Sequence, residues 1–364
     1  TILCKIIKLG ENVKIDKTKP VMVTGASGYI AGSLIKKLLS EGIIVHAALR
    51  NPESEIKTDA LKKLATELNG TLKIFKSDLL IKGTFKEAMD GCEVVFHTAS
   101  PFFMKVDDPL TDLVIPAVDG TKNVLDSVNL CPSVKRVVLT SSVAAVYSDN
   151  IDLEEIDRDA FNEEVWNTKS SLTHNPYSYS KTMAEREAWS MCEKQDHWDL
   201  VTINPSLVVG PGIKPFTNSE SFNILKQFGD GTLFPAVPKL ALGIVDVRDV
   251  AEAHFQAAYT SEAKGRYIVS GYNSAFFEIA KILQENFGKD YPIPKFLLPK
   301  WVVWAIGPIL NKSLTREYVK LNIGVSCKLN NSKSTIELGI SYRPLKESII
   351  EFFEQVISTG AFKK

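Results

Sequence analysis

The chain has 364 residues, 45% of them apolar and 24% charged, and its 43 basic residues are matched by 43 acidic ones. That size supports one large domain or two, and the even charge excludes a global attraction to nucleic acid or to an acidic membrane. Five scattered cysteines (Cys4, Cys92, Cys131, Cys192, Cys327) form no Cys-x-x-Cys and the five histidines show no ligand spacing, which argues against disulfides or a metal and for a reducing cytoplasm.

Residues 1–19 read as an N-terminal extension, and Thr1–Lys8 is too short and too broken by lysine for a signal peptide. Pro20–Thr24 is a short apolar strand, Gly25–Ala31 a turn, Gly32–Glu41 an amphipathic helix and Ile43–Leu49 a second strand. An apolar strand, a helix and another apolar strand make a βαβ unit on a buried parallel sheet. The alternation continues with helix Glu55–Asn69, strands Leu72–Phe75 and Val94–His97, helix Pro116–Leu130 and strand Arg136–Thr140. Helix Tyr179–Lys194 and strand Leu200–Asn204 complete it. The pattern is that of an α/β fold, a Rossmann-type doubly wound parallel sheet with helices on both faces.

Past Asn204, prolines and glycines become frequent and indicate loops. A strand at Gly243–Val247, a helix at Val250–Tyr259 and a strand at Tyr267–Ser270 return the chain to the sheet, and the rest reads as helices separated by prolines. The expected division is a dinucleotide-binding domain from residues 20–205 and 240–270, with a smaller, mostly helical substrate cap from 206–239 and 271–364. Trp301–Leu310 is the most apolar run; ten residues cannot span a bilayer, which takes about 20, and a buried helix is the preferred reading over a pocket wall.

Gly25-Ala26-Ser27-Gly28-Tyr29-Ile30-Ala31 gives Gly-x-x-Gly-x-x-Ala between a strand and a helix. Gly25 permits the tight turn, Gly28 a close backbone approach to a pyrophosphate, and the small Ala31 close helix packing. The helix start then offers free N–H groups to phosphate, so Gly25, Ser27, Gly28, Tyr29 and Ile30 are candidate coenzyme contacts. An acid at the end of the second strand would read the NAD ribose; here Arg50 stands in Ala48-Leu49-Arg50-Asn51-Pro52. A guanidinium suits a 2′-phosphate, so the expected coenzyme is NADP(H), with Lys57 assisting. Asp78, beside Leu79 after the third strand, is a candidate partner of the adenine or, equally, a helix cap.

Tyr177 and Lys181 are four apart in Asn-Pro-Tyr-Ser-Tyr-Ser-Lys, and on a helix that spacing places them on one face. A free phenol titrates near ~10, and an adjacent cation favours the phenolate. Tyr177 is therefore the candidate general acid, Lys181 the group that stabilises its phenolate and reaches the nicotinamide ribose, and Ser142, at a strand end, the hydroxyl that polarises a substrate carbonyl. Tyr179 competes for the phenol role but lies on another helix face.

Together with Phe96-His97-Thr98-Ala99-Ser100-Pro101, Gly120-Thr121-Lys122-Asn123-Val124, Asn204-Pro205-Ser206-Leu207-Val208-Val209-Gly210-Pro211 and Val245–His254, these motifs resemble an extended short-chain dehydrogenase/reductase. The likeness runs from about Pro20 over most of the chain and is closest to the dihydroflavonol-reductase-like group, which includes cinnamoyl-CoA reductases and fungal aldehyde and methylglyoxal reductases. It implies NADPH-dependent carbonyl reduction by Ser142, Tyr177 and Lys181, with Thr98, Ala99, Ser100, Pro205 and Val208 lining the coenzyme and His97 and His254 structural.

Three departures bear on the substrate. Ala31 replaces a third glycine, as in the fungal aldehyde-reductase branch. Pro176 and Ser178 differ from the cinnamoyl-CoA reductase signature around the tyrosine. Val146 and Tyr147 stand where flavonoid reductases carry an Asn or Asp, so Tyr147 is a candidate wall of an apolar pocket with Phe216 and Phe222, aromatics that could equally form cap core.

The expected activity is NADPH-dependent reduction of an aldehyde or ketone to the alcohol, by a monomer or homodimer without a membrane span or nucleic-acid partner. The alternatives are a hydroxysteroid-type alcohol dehydrogenase, an NAD-dependent sugar-nucleotide epimerase or dehydratase, and a nucleotide-binding redox sensor without catalysis.

Overall fold

The computed structural model describes residues 13–100, 106–215, 219–310 and 314–362; Cys4, Pro101 and Phe216 lie outside them. The elements in order are β1 (Val21–Thr24), α1 (Tyr29–Ser40), β2 (Ile44–Leu49), α2 (Glu55–Glu67), β3 (Thr71–Lys76), α3 (Lys86–Met89), β4 (Val94–His97), α4 (Ile115–Asn129) and β5 (Arg136–Thr140). Next come α5 (Pro176–Cys192), β6 (Asp199–Pro205), β7 (Leu207–Val209), α6 (Glu220–Gly229), β8 (Ala236–Pro238), β9 (Ala241–Asp246), α7 (Val247–Tyr259) and β10 (Gly265–Val269). The C-terminal part holds β11 (Tyr272–Ala275), α8 (Phe276–Phe287), β12 (Phe296–Leu298), α9 (Lys300–Leu310), α10 (Arg316–Asn322), α11 (Ser332–Glu337) and α12 (Leu345–Ser358).

Seven strands form one sheet in the order β10-β6-β5-β4-β1-β2-β3, every pair parallel. Successive side chains on a strand point to opposite faces. Val21, Val23, Val45, Ala47, Phe96 and Ile203 therefore join one core with Leu34, Ile35 and Leu38 of α1 and Val250 and Ala257 of α7. Met22, Ala48, Val95, Val137 and Leu200 join a second core with Ala88 and Met89 of α3, Val124 and Val128 of α4, and Ala188 of α5. Both faces are covered, and for that reason these strands read as unbroken apolar runs. The strand order reverses between β1 and β4, so a crevice opens beyond their carboxyl ends, at Gly25 and at Thr98.

Several elements depart from the sequence reading. The strand expected to return the chain to the main sheet at Gly243–Val247 is β9, which instead pairs parallel with β7 and antiparallel with β11 in a separate three-stranded sheet. β8 and β12 pair beside it. These strands are three to six residues long, too short for their periodicity to stand out among prolines. α1 begins at Tyr29 rather than Gly32. α5 begins at Pro176 rather than Tyr179, because proline is pre-set for a first helical position and Asn175 before it takes a left-handed turn with φ 49°.

The expectation of a buried helix at 301–310 fails. Val303 and Gly307 face α10, but Trp301, Trp304, Ile306 and Ile309 are exposed. An apolar run fixes neither face of a helix when only one side has a partner to pack on. Among the described residues no helix is long and apolar enough to cross a membrane, no cluster of His, Cys, Asp or Glu could hold a metal ion, and Cys92, Cys131, Cys192 and Cys327 are buried free thiols.

Candidate active site

A groove of about 940 Å³ follows the crevice across the ends of β1, β4, β5 and β6. Gly25, Ser27, Gly28, Tyr29 and Ile30 form its floor at one end, and Arg50, Lys57, Asp78 and Leu79 stand beside them. Thr98, Ala99, Ser100, Ser142, Tyr147, Tyr177, Lys181, Pro205 and Val208 line the remainder. All of the described candidate residues except Phe222 therefore meet at one cavity. A more open depression of about 1300 Å³ shares Arg50, Ser77 and Asp78 but holds neither the glycine turn nor the phenol.

The glycine turn is built for close approach. Gly25 has φ +62°, and a Cβ there would lie 2.9 Å from Cα of Ala99, so no side chain fits. Gly28 caps α1 and donates its N–H to the Gly25 carbonyl at 2.8 Å. The next N–H groups of α1 belong to a helix start, where four donors lack helical partners and the dipole favours an anion. Opposite, Thr98 Oγ1 donates to the Thr24 carbonyl at 2.5 Å and the Ala99 N–H donates to Thr24 Oγ1 at 3.0 Å, which ties the ends of β1 and β4 into one wall.

Two candidates spend part of their polarity locally. The Tyr29 hydroxyl donates to the Gly210 carbonyl and its ring stacks on Phe352 of α12 at 5.9 Å. Burial raises this phenol well above its usual range, so it stays a neutral structural donor. Asp78 accepts the Leu80 N–H at 2.9 Å on Oδ1, closing its own turn while standing on the groove wall.

Tyr177 and Lys181 share a face of α5, with the ammonium 5.9 Å from the ring centroid. Lys181 Nζ donates to Ser100 Oγ at 3.0 Å. Tyr179, the rival phenol, does not line the groove. Ser142 Oγ accepts the Ala144 N–H at 3.1 Å, which occupies a lone pair and leaves the O–H to donate. Tyr147 stacks on Phe161 at 4.5 Å, and its hydroxyl accepts from Cys327 Sγ at 3.4 Å. Phe222, its expected companion, is packed in the cap core with Leu225, Phe228 and Phe353. The apolar wall comes instead from Val143, Ala144 and Leu207, neighbours in sequence of Ser142 and Pro205.

Both histidines named structural are buried. His97 Nδ1 pairs with Thr24 Oγ1 at 3.0 Å, and burial, reinforced by the Lys181 charge, lowers its pKa to about 3. His254 pairs with the Val250 carbonyl and Thr140 Oγ1, both at 2.7 Å, and burial lowers it to about 4.

Two networks fix α5, and no local motif announced either. Glu185, one turn beyond Lys181, accepts from Arg266 Nε at 2.6 Å and Asn204 Nδ2 at 2.8 Å, and also from Ser141 Oγ. At the other end, buried Asp149 accepts from His174 Nε2 at 2.6 Å, Asn322 Nδ2 at 2.7 Å and Asn175 Nδ2 at 3.2 Å. Burial would raise this carboxyl, but the bonds from Asn322, His174 and Ser148 outweigh it and hold it below the usual range. The signal lies in pairs of polar residues far apart in sequence, which one chain read alone does not pair.

Residues 21–270 match the NAD dependent epimerase/dehydratase family. The chain is 38% identical over 316 residues to cinnamoyl-CoA reductase CAD2 of Medicago truncatula, covering 84% of this chain and 93% of that one. It is 35% identical over 349 residues to anthocyanidin reductase of Arabidopsis thaliana, covering 93% and 95%. Among solved structures it resembles the yeast methylglyoxal/isovaleraldehyde reductase Gre2 complexed with NADPH, with TM-score 0.74, 31% identity, and coverage of 94% of this chain and 99% of that one.

Proposed function

The chain belongs to the NAD dependent epimerase/dehydratase family, in its extended short-chain dehydrogenase/reductase branch, and from that premise we propose that it reduces an aldehyde or ketone to the alcohol with NADPH. The observation that carries the reading is the convergence of the Tyr177–Lys181 pair, Ser142 and the glycine turn on one groove.

The residues fit the coenzyme. The space that a side chain at Gly25 would fill accepts a pyrophosphate beside the start of α1, and Thr98–Ser100 flank it. Arg50 with Lys57 supports a 2′-phosphate, the group that distinguishes NADPH from NADH. Bound there, the coenzyme supplies hydride to the carbonyl carbon. Ser142 donates its O–H to the carbonyl oxygen and polarises it. Tyr177 Oη gives its proton to that oxygen as negative charge develops, and Lys181 stabilises the phenolate left behind. Tyr177 is 54% exposed, which lets solvent restore the proton. Val143, Ala144, Tyr147 and Leu207 favour an apolar body on the substrate, while Glu220 at the rim disfavours an anionic one such as a CoA thioester.

The test is NADPH oxidation over a panel of aldehydes and ketones, with Tyr177→Phe as control. Loss of the proton donor is expected to lower kcat by about 10²–10⁴ with coenzyme binding retained. A Tyr177→Phe enzyme within a few-fold of the parent would overturn the assigned acid, and NADPH binding without turnover of any carbonyl would overturn the activity.

A further inference from the structure

α9 is apolar on two sides. Val303 and Gly307 face the cap, which consumes one stripe. The opposite stripe is Trp301, Trp304, Ala305 and Ile309, spaced as one helix face and turned to solvent. Trp301 is 73% exposed and Ile309 83%, and Phe296, four residues before the helix, is 62% exposed. Large apolar side chains grouped at such exposure mark an interaction surface.

The rim of the patch names its partner. Lys295, Lys300, Arg316 and Lys320 on and beside α9 and α10 are exposed, and the described residues of 295–320 hold one acid, Glu317, in a chain whose overall charge is balanced. Lys300 Nζ donates to the Lys320 carbonyl at 3.0 Å, so its ammonium sits against the last turn of α10. The Arg316 guanidinium lies 4.6 Å from the Trp304 ring centroid, joining charge and indole on one surface. Tryptophan beside aliphatic side chains, with lysine and arginine around them, is the composition of a helix lying in a membrane interface. The helix has 11 residues, about 16 Å at 1.5 Å per residue, enough to lie in the headgroup layer and far too short to cross the bilayer.

We propose that α9 docks this enzyme peripherally on an anionic lipid surface, with Trp301, Trp304 and Ile309 inserted and the lysines and Arg316 on the headgroups.

The test is cosedimentation of the full chain with phosphatidylcholine vesicles with and without phosphatidylserine, at low and high salt. Binding is expected on the anionic vesicles, weakened by salt. It should fall at least tenfold in Trp301→Ser/Ile309→Ser and in Lys300→Gln/Arg316→Gln, with NADPH turnover unchanged. Brominated phosphatidylcholine mixed into the anionic vesicles should quench the parent protein's tryptophan fluorescence, a readout that needs no variant. Absence of binding by the parent protein, equal binding by the variants, or a dimer that Trp301→Ser/Ile309→Ser dissolves while vesicles stay unbound would each overturn the proposal; the last would make the patch a self-association surface. None of these readouts depends on which carbonyl the enzyme reduces.

Discussion

Replacing Arg266 by methionine isolates the buried ion pair that anchors α5. The guanidinium is almost wholly enclosed, and so is its partner Glu185. Arg266 also donates to the carbonyls of Glu163 at 3.1 Å, Val165 at 2.6 Å and Ala145 at 3.1 Å, and stacks 3.9 Å from the Trp166 centroid. Methionine fills much of the volume but takes the Arg266 donor from the part-buried carbonyls of Glu163 and Val165 and leaves a carboxylate without its counter-charge, while the Ala145 carbonyl keeps the Asn167 N–H at 3.1 Å. Breaking a buried pair from one side costs about 3–5 kcal/mol. Glu185 keeps the neutral donors Ser141, Thr202 and Asn204, so the lower end, about 3 kcal/mol, is expected. Urea unfolding followed by fluorescence and circular dichroism measures it. Glu185→Gln/Arg266→Met should cost less than the two single changes together, with a coupling of about 1–3 kcal/mol. A loss below about 1 kcal/mol for Arg266→Met, or strict additivity, would refute the claim that this pair holds α5 in place.

Gly25→Ala places a Cβ against Ala99 and demands a backbone unfavourable to alanine, so NADPH affinity measured by fluorescence titration should fall at least ~10-fold with the fold intact. Arg50→Ala should weaken NADPH by about 1.5–3 kcal/mol, the worth of a hydrogen bond to a charged group, and leave NADH almost unchanged in steady-state kinetics; equal losses for both would remove Arg50 from the 2′-phosphate. His97 has its pKa lowered to about 3 by burial. Between that value and the unfolded value near ~6.5, the unfolded chain binds a proton that the folded chain refuses, so stability is full above ~6.5 and declines as pH falls. From pH 7 to 5 this residue alone should remove about 2 kcal/mol, and His97→Gln should flatten that slope in urea titrations.

The parallel sheet was legible because its central strands are buried on both faces and so read as unbroken apolar runs, as Val94–Phe96 does, while β3 at the edge is partly exposed. The groove residues were legible where chemistry constrains local spacing: Gly25 to Gly28, and Tyr177 to Lys181. Position along a helix was less so. Tyr177 sits in the first turn of α5 because Asn175 turns left-handed and Pro176 starts the helix, a detail of backbone angles rather than of pattern. The cap escaped for a different reason. β7, β9 and β11 pair across long separations, and nothing local in Leu207–Val209 distinguishes a strand from a loop. Phe222 shows the same limit: an aromatic residue in a cap segment is equally suited to core or pocket, and only packing with Phe228 and Phe353 decides.

The Asp149 hub has a bearing on how this scaffold can be re-engineered. Asp149 sits just beyond the strand end that carries Ser142, His174 and Asn175 lead into the helix of Tyr177, and Asn322 comes from α10. A chimaera that exchanges the C-terminal segment carrying α10 would bring its own residue at position 322, and with another side chain there it would loosen the foothold of Tyr177 while leaving the groove's lining intact. Recombination boundaries that keep Asp149, His174, Asn175 and Asn322 from one parent should therefore preserve turnover, and those that split them should yield folded enzymes with slack catalysis.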